Sequence, residues 1–135
     1  YVTNTGAKLH WSVTGAVSYE IDANDPTFDF STPGTKYITI TSADNLIGVT
    51  HFYCYSNQLT SLDVSGLSNL TNLNCQLNQL TTTTINTILD QLIAISNFNG
   101  SFLGASNQTG RGCGDPAKIA VLDTIWETVI VDACN

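Results

Sequence analysis

The chain has few charges, and very few of them are positive. Of its 135 residues, 11% are Asp, Glu, Lys or Arg; the four basic ones (Lys8, Lys36, Arg111 and Lys118) are scattered, and the formal net charge is −7. A protein that tracks phosphates needs a basic stripe, so no nucleic acid partner is expected. Long apolar runs are missing too: none approaches the ~18 residues that a membrane-crossing helix requires, so no membrane span is expected. Methionine is absent, the first residue is Tyr1, and no signal peptide is visible, which points to a mature, processed product or a fragment. Reaction motifs are also lacking. There is no GxSxG, no HExxH and no Gly-rich loop between a strand and a helix, and no candidate nucleophile is placed beside His10 or His51. Asp63, Asp90, Asp123 and Glu127 fall on outward or polar sides, so paired buried carboxylates are not identifiable either. The expectation is a non-enzyme without a cofactor, the alternative being an active site assembled in space from distant residues.

What the chain does contain is globular. A hydrophobic fraction of 42% over 135 residues suits one domain with a real core. Its polar residues are mainly Ser, Thr, Asn and Gln, which fits an extracellular or surface-borne protein better than a cytosolic one.

One pattern is written twice. Val49, Phe52, Cys54, Asn57 and Leu59 recur as Leu70, Leu73, Cys75, Asn78 and Leu80, each pair 21 residues apart. A coincidence of this kind in a short window marks an internal repeat. The unit reads LxxLxCxxNxL, with a half-pattern (Leu59, Leu62, Val64) between the copies that predicts a second short extended segment. In an extended segment alternate side chains face opposite ways, so Phe52, Cys54, Leu73 and Cys75 are expected inside. His51, Tyr53, Tyr55, Asn72, Asn74 and Gln76 are then expected outside. Asn57 and Asn78 fall where the chain leaves the strand, and their amides suit backbone groups that a buried turn would leave unpaired.

After Leu80 the period changes. Thr81 to Thr84 offers a helix N-cap, and Ile85, Ile88, Leu89, Leu92 and Ile95 follow helical spacing, so a helix ending near Ser96 is predicted. A turn at Asn97 to Ser101, a short strand at Phe102 to Ser106 and a flexible loop come next. Asp115 and Pro116 then start a second helix with Ile119, Leu122, Ile125 and Trp126 inward, and Thr128 to Val131 closes as a strand. Before the repeat, Leu9 to Val13, Ser18 to Ile21 and Lys36 to Thr41 read as short strands punctuated by Gly and Pro.

The LxxLxCxxNxLxxLDVS pattern resembles the short, nested leucine-rich repeats of secreted bacterial and phage-borne proteins. The resemblance covers Val49 to Val131 and implies an α/β solenoid with 21-residue coils. Residues 1–48 would form a β-rich N-terminal cap, 49–80 two repeat coils, and 81–135 a helix-containing C-terminal cap, all in one domain.

The cysteines divide into two kinds. Cys54 and Cys75 share an inward repeat position and fill core volume as thiols, or pair with each other in an awkward in-register geometry. Cys113 and Cys134 lie in a Gly-rich loop and near the chain end, where a disulfide would pin down a segment that otherwise frays. Zinc is the alternative for the four, although no CxxC or Cys/His spacing supports it. The acidic group Glu20, Asp22, Asp25 and Asp29 is either a solvated loop or a calcium ligand set that lacks the Gly and terminal Glu of an EF-hand. Sequons at Asn69, Asn99 and Asn107 are candidate glycosylation sites.

Function is expected on the surface. His51, Tyr53 and Tyr55 beside Asn72, Asn74 and Gln76 combine flat rings with amides and suit glycans or proteins, or else they are ordinary cross-strand pairs on a wet sheet. The resemblance points to the same face. Two coils make a thin slab, so head-to-tail packing of the chain with itself is the other candidate partnership. The expectation is an extracellular or cell- or virion-surface protein, structural or adhesive, built as a filament or lattice subunit or else acting as a monomeric binding module.

Overall fold

The computed structural model describes residues 2–4, 6, 9–13, 19–21, 37–95, 100–108 and 112–134. The elements are, in order, β1 (Val2–Asn4), β2 (Leu9–Val13), β3 (Tyr19–Ile21), β4 (Ile38–Thr41), β5 (Val49–Tyr53), β6 (Asn72–Asn74), α1 (Thr82–Ala94), β7 (Phe102–Gly104), α2 (Pro116–Leu122) and β8 (Val129–Ile130). One sheet has the strand order β1-β5-β6-β7-β8 and the other the order β3-β2-β4. In the larger sheet β5 to β8 run parallel, and β1 adds to β5 antiparallel with a register shift between Thr3 and Asn4. The smaller sheet is antiparallel throughout.

The α/β solenoid expected from the repeat is corrected here: the fold is a small α/β domain of two sheets and two helices. The cause lies in how far the repeat reaches. Its two copies supply β5 and β6, joined by residues 54–71 with no helix and no second strand between them. The next two crossovers carry α1 and α2, as parallel pairing of neighbouring strands usually requires. The helices therefore connect strands within the sheet instead of capping a stack of equal coils. At the other side β1 closes the sheet antiparallel, which no continuing coil would do.

Both helices form where capping chemistry begins them. Thr81 Oγ1 accepts the Thr84 N–H at 3.2 Å, and α1 buries Ile85, Ile88, Leu89 and Leu92 along one stripe. Burial of each such side chain contributes roughly 1.5–3 kcal/mol. Asp115 Oδ1 accepts the Ala117 N–H at 2.8 Å with Pro116 at the first helical position. The two helices are tied by Lys118 Nζ to Asp90 Oδ2 at 2.6 Å and by the Asp115 N–H to Asn86 Oδ1 at 2.7 Å. Trp126 is buried just past α2, where it bridges Gly100. A Cβ on Gly100 would stand 2.1 Å from the indole, so only glycine permits this approach.

Leu9 and Trp11 from the smaller sheet join Val2, Leu73, Leu103, the α1 stripe, Leu122 and Trp126 in one hydrophobic cluster. Cys54 and Cys75 are free thiols within it, and Cys113 and Cys134 form the expected disulfide. Burial pushes the Cys75 thiol up to about 12, and burial with the neighbouring Cys75 raises Cys54 further still. Of the acidic group, Asp22, Asp25 and Asp29 lie outside the described residues, as does most of the predicted turn at Asn97 to Ser101.

Candidate functional site

The strand register sets the outer face. His51 pairs with Asn72 and Asn72 with Phe102; Tyr53 pairs with Asn74, Asn74 with Gly104, and Gly104 with Ile130. Phe52, Leu73, Leu103 and Val129 occupy the alternate, core-facing row. One step further along, the Ser56 N–H donates to Gln76 O and the Leu77 N–H to Ser106 O, which lines up Tyr55, Gln76 and Ser106. The structure thus brings His51, Tyr53, Tyr55, Asn72, Asn74 and Gln76 onto one surface and adds Phe102 and Ile130, with Gly104 and Ser106 in the same rows but buried. Sequence reasoning missed the β7 positions because they sit 30 residues beyond the second repeat copy and not 21, and Ile130 because it lies a further 26 residues beyond Gly104.

Side chains on this face hold one another in place. Thr71 Oγ1 donates to Thr50 O (3.1 Å) and accepts from Asn72 Nδ2 (3.2 Å), which fixes the Asn72 amide. The second Nδ2 proton points at His51 Nε2 at 3.1 Å, so that nitrogen accepts and Nδ1 donates to Thr50 Oγ1 at 2.9 Å. The His51 and Tyr53 rings meet edge to face, with centroids 6.1 Å apart at 80°. Gln76 Nε2 donates to Ser106 Oγ at 2.8 Å, and Asn74 Oδ1 accepts the Gln76 N–H at 3.2 Å. Tyr55 stands out, 54% exposed.

Beneath the face runs a line of amides. Asn78 is fully buried. Its Oδ1 accepts the N–H groups of Asn57 and Leu59, each at 3.0 Å, and its Nδ2 donates toward Cys54 O, Cys75 O and Gln76 O at 2.9–3.2 Å. Gln108 repeats the arrangement one strand on: Oε1 accepts the Leu80 N–H at 3.2 Å, and Nε2 donates to Cys75 O and Ala105 O at 3.0 and 3.1 Å. Each amide follows a residue with left-handed backbone: Ser56 before Asn57, Leu77 before Asn78 and Asn107 before Gln108. Asn57 begins the series and is exposed, with Nδ2 on Tyr55 O at 2.8 Å. The signal for Gln108 was present as Leu103-x-Ala105-x-x-Gln108, a degenerate copy of LxCxxN with both polar and apolar identities changed.

Other candidate positions lie off the face. Asp63 accepts the Ser65 N–H and Gln91 Nε2, and the Ser65 N–H above all holds its carboxyl below the ordinary range. Asn69 is half-buried with Nδ2 on Ile47 O at 2.7 Å, and Asn107 is exposed with its N–H on Asp132 Oδ2 at 2.8 Å. Asn99 lies outside the described residues. Among the described residues no group of three or more His, Cys, Asp or Glu is arranged to hold a metal, and no helix is long and apolar enough to cross a membrane. Among the described residues, one depression of 260 Å³ is lined by Thr124 to Glu127 and another of 240 Å³ lies near Ile40, Leu46 and Gly66. Neither adjoins the aromatic and amide rows. Comparison with protein families, with curated proteins and with solved structures finds no match to this chain.

Proposed function

We propose that this chain is a secreted or surface-displayed adhesive domain that recognises a polymeric partner through the outer face of β5, β6 and β7 and performs no catalysis. The observation that carries the reading is the composition of that face. From His51 to Tyr55, Asn72 to Gln76 and Phe102 to Ser106 there is no Asp, Glu, Lys or Arg, although the chain carries a net charge of −7. Rings and amides held by their neighbours form a preorganised surface, which lowers the ordering cost of binding. Both depressions are smaller than the ~300 Å³ at which small-molecule sites begin, and this favours a broad contact over an enclosed substrate. The Cys113–Cys134 disulfide supports an oxidising location outside the cytosol.

The test places beads carrying the protein on immobilised neutral polysaccharides, anionic polysaccharides and denatured collagen. Wild type is retained on at least one surface, and Asn74→Glu, which sets a charge at the centre of the face, lowers retention at least tenfold with unchanged circular dichroism. Retention unaffected by Asn74→Glu, or no retention at all, overturns the reading.

A second reading, head-to-tail assembly of like copies, is favoured by the sheet edges. Among the described residues β4 pairs only with β2 and β8 only with β7, and Ile38 and Ile130 are exposed on these edges. Sedimentation and electron microscopy decide it. Fibres that Ile38→Lys abolishes support assembly, and a species of 14.5 kDa at all concentrations sinks it.

A further inference from the structure

On the reading of the strand face given above, we infer that its ligand is the chain of a neutral polysaccharide, and that Phe102, lying across Gly104, is a platform on which a sugar ring stacks. The geometry of Gly104 carries the argument. A Cβ on this residue would stand 2.8 Å from Phe102 Cε1, 2.9 Å from Phe102 Cζ and 3.2 Å from Gln76 Cδ. The Phe102 ring therefore lies down over its own strand, in space that any other residue at 104 would fill. A half-buried ring fixed in this way presents a flat apolar surface without losing rotamer freedom on binding.

The surroundings select the ligand. Gln76 reaches the same spot, and its Nε2 is bound to the buried Ser106 Oγ, so a stacked ring would sit beside an amide already held in place. Sugars offer this pairing in complement, with an apolar C–H face on one side and hydroxyls around the edge. Tyr55 supplies a second exposed ring two strands away, on the line through Gln76 and Ser106. Adjacent strands are ~4.8 Å apart, so the two residues lie about 10 Å apart across the strands, with Tyr55 also offset along them, which is more than one sugar spans. The ligand is thus a chain. Charge decides which kind: the net −7 of the molecule opposes polyanions, and the face offers polycations no carboxylate among the three strand segments.

The experiment is affinity electrophoresis of the whole chain in native gels containing neutral polymers (a β-glucan, a galactomannan, a xylan) or anionic ones (alginate, polygalacturonate). At least one neutral polymer should retard the wild type, and no anionic one should. Phe102→Ala weakens that retardation about tenfold or more, and Phe102→Trp keeps it. Gly104→Ala, which lifts the ring without removing it, weakens it several-fold. Leu77→Asn, off the face, leaves it unchanged and serves as the folding control. Retardation that survives Phe102→Ala, or none by any neutral polymer, overturns the assignment. If neutral polymers fail while Asn74→Glu still abolishes bead retention, the ligand class falls and the surface reading stands; if both fail, neither survives.

Discussion

The buried Asn78 side chain is bonded to five backbone groups, of Asn57, Leu59, Cys54, Cys75 and Gln76. Replacing it with Ala leaves the N–H groups of Asn57 and Leu59 and the carbonyl of Cys54 without their amide, while the Cys75 carbonyl keeps Gln108 Nε2. Each buried unsatisfied group costs about 1–3 kcal/mol, so Asn78→Ala is expected to lose roughly 3 kcal/mol or more in urea unfolding. Asn57→Ala, at an exposed amide with one hydrogen bond of its own, should lose less than about 1 kcal/mol. Equal losses would contradict the ladder. The free thiols give a second test at this scale. Their native pKa values are raised above the ordinary 9.0, so the unfolded chain releases protons first as pH rises. Stability from these groups is fully present below pH 9 and declines toward about pH 12, by roughly 1.4 kcal/mol per pH unit for each thiol. Cys54→Ala/Cys75→Ala should flatten that slope even where it lowers overall stability; an unchanged slope would refute the cause given. Asn78 and both thiols were legible in the sequence because identical residue types recur at one spacing. Gln108 was not, since a longer side chain does the same work at another spacing.

Among the elements, the strand-to-turn joint is the recurring unit. Ser56, Leu77 and Asn107 all hold φ between 55° and 58°, a conformation costing most side chains roughly 1–2 kcal/mol and Asn much less. Leu77 is in addition 53% exposed, so it contributes little burial to offset the strain. Leu77→Asn is expected to stabilise the fold by about 0.5–1 kcal/mol, read as a higher denaturation midpoint; destabilisation would mean that Leu77 packs on something that matters. The helices were readable from the 3.6-residue stripe of Ile85, Ile88, Leu89 and Leu92 and from the Asp115-Pro116 start, because these signals are local. Sheet pairing is not local. Nothing near Val2 announces that it lies against Phe52, and nothing in the repeat tells that the next crossover will carry a helix, which is how a duplicated motif read as a solenoid belongs to a mixed sheet.

At the scale of the whole molecule, one core joins both sheets and both helices, and the disulfide closes its C-terminal side. Cys113 and Cys134 hold the segment around α2 and β8, where the Cys134 N–H donates to Gly114 O and the Gly114 N–H to Asp132 O. Reduction should lower stability by roughly 2–4 kcal/mol, measured as the shift in denaturation midpoint with and without dithiothreitol. An unchanged midpoint would mean that packing alone holds this end. Of the outer strand face, the sequence disclosed the β5 and β6 rows through alternation, and the β7 row appeared only once register was known. The claim that recognition belongs to the outer strand face and not to the sheet edges is tested most directly by comparing bead retention of Asn74→Glu and Ile38→Lys with wild type on the same surfaces. Loss with Asn74→Glu and full retention with Ile38→Lys is the expected result; loss with Ile38→Lys and full retention with Asn74→Glu would contradict it.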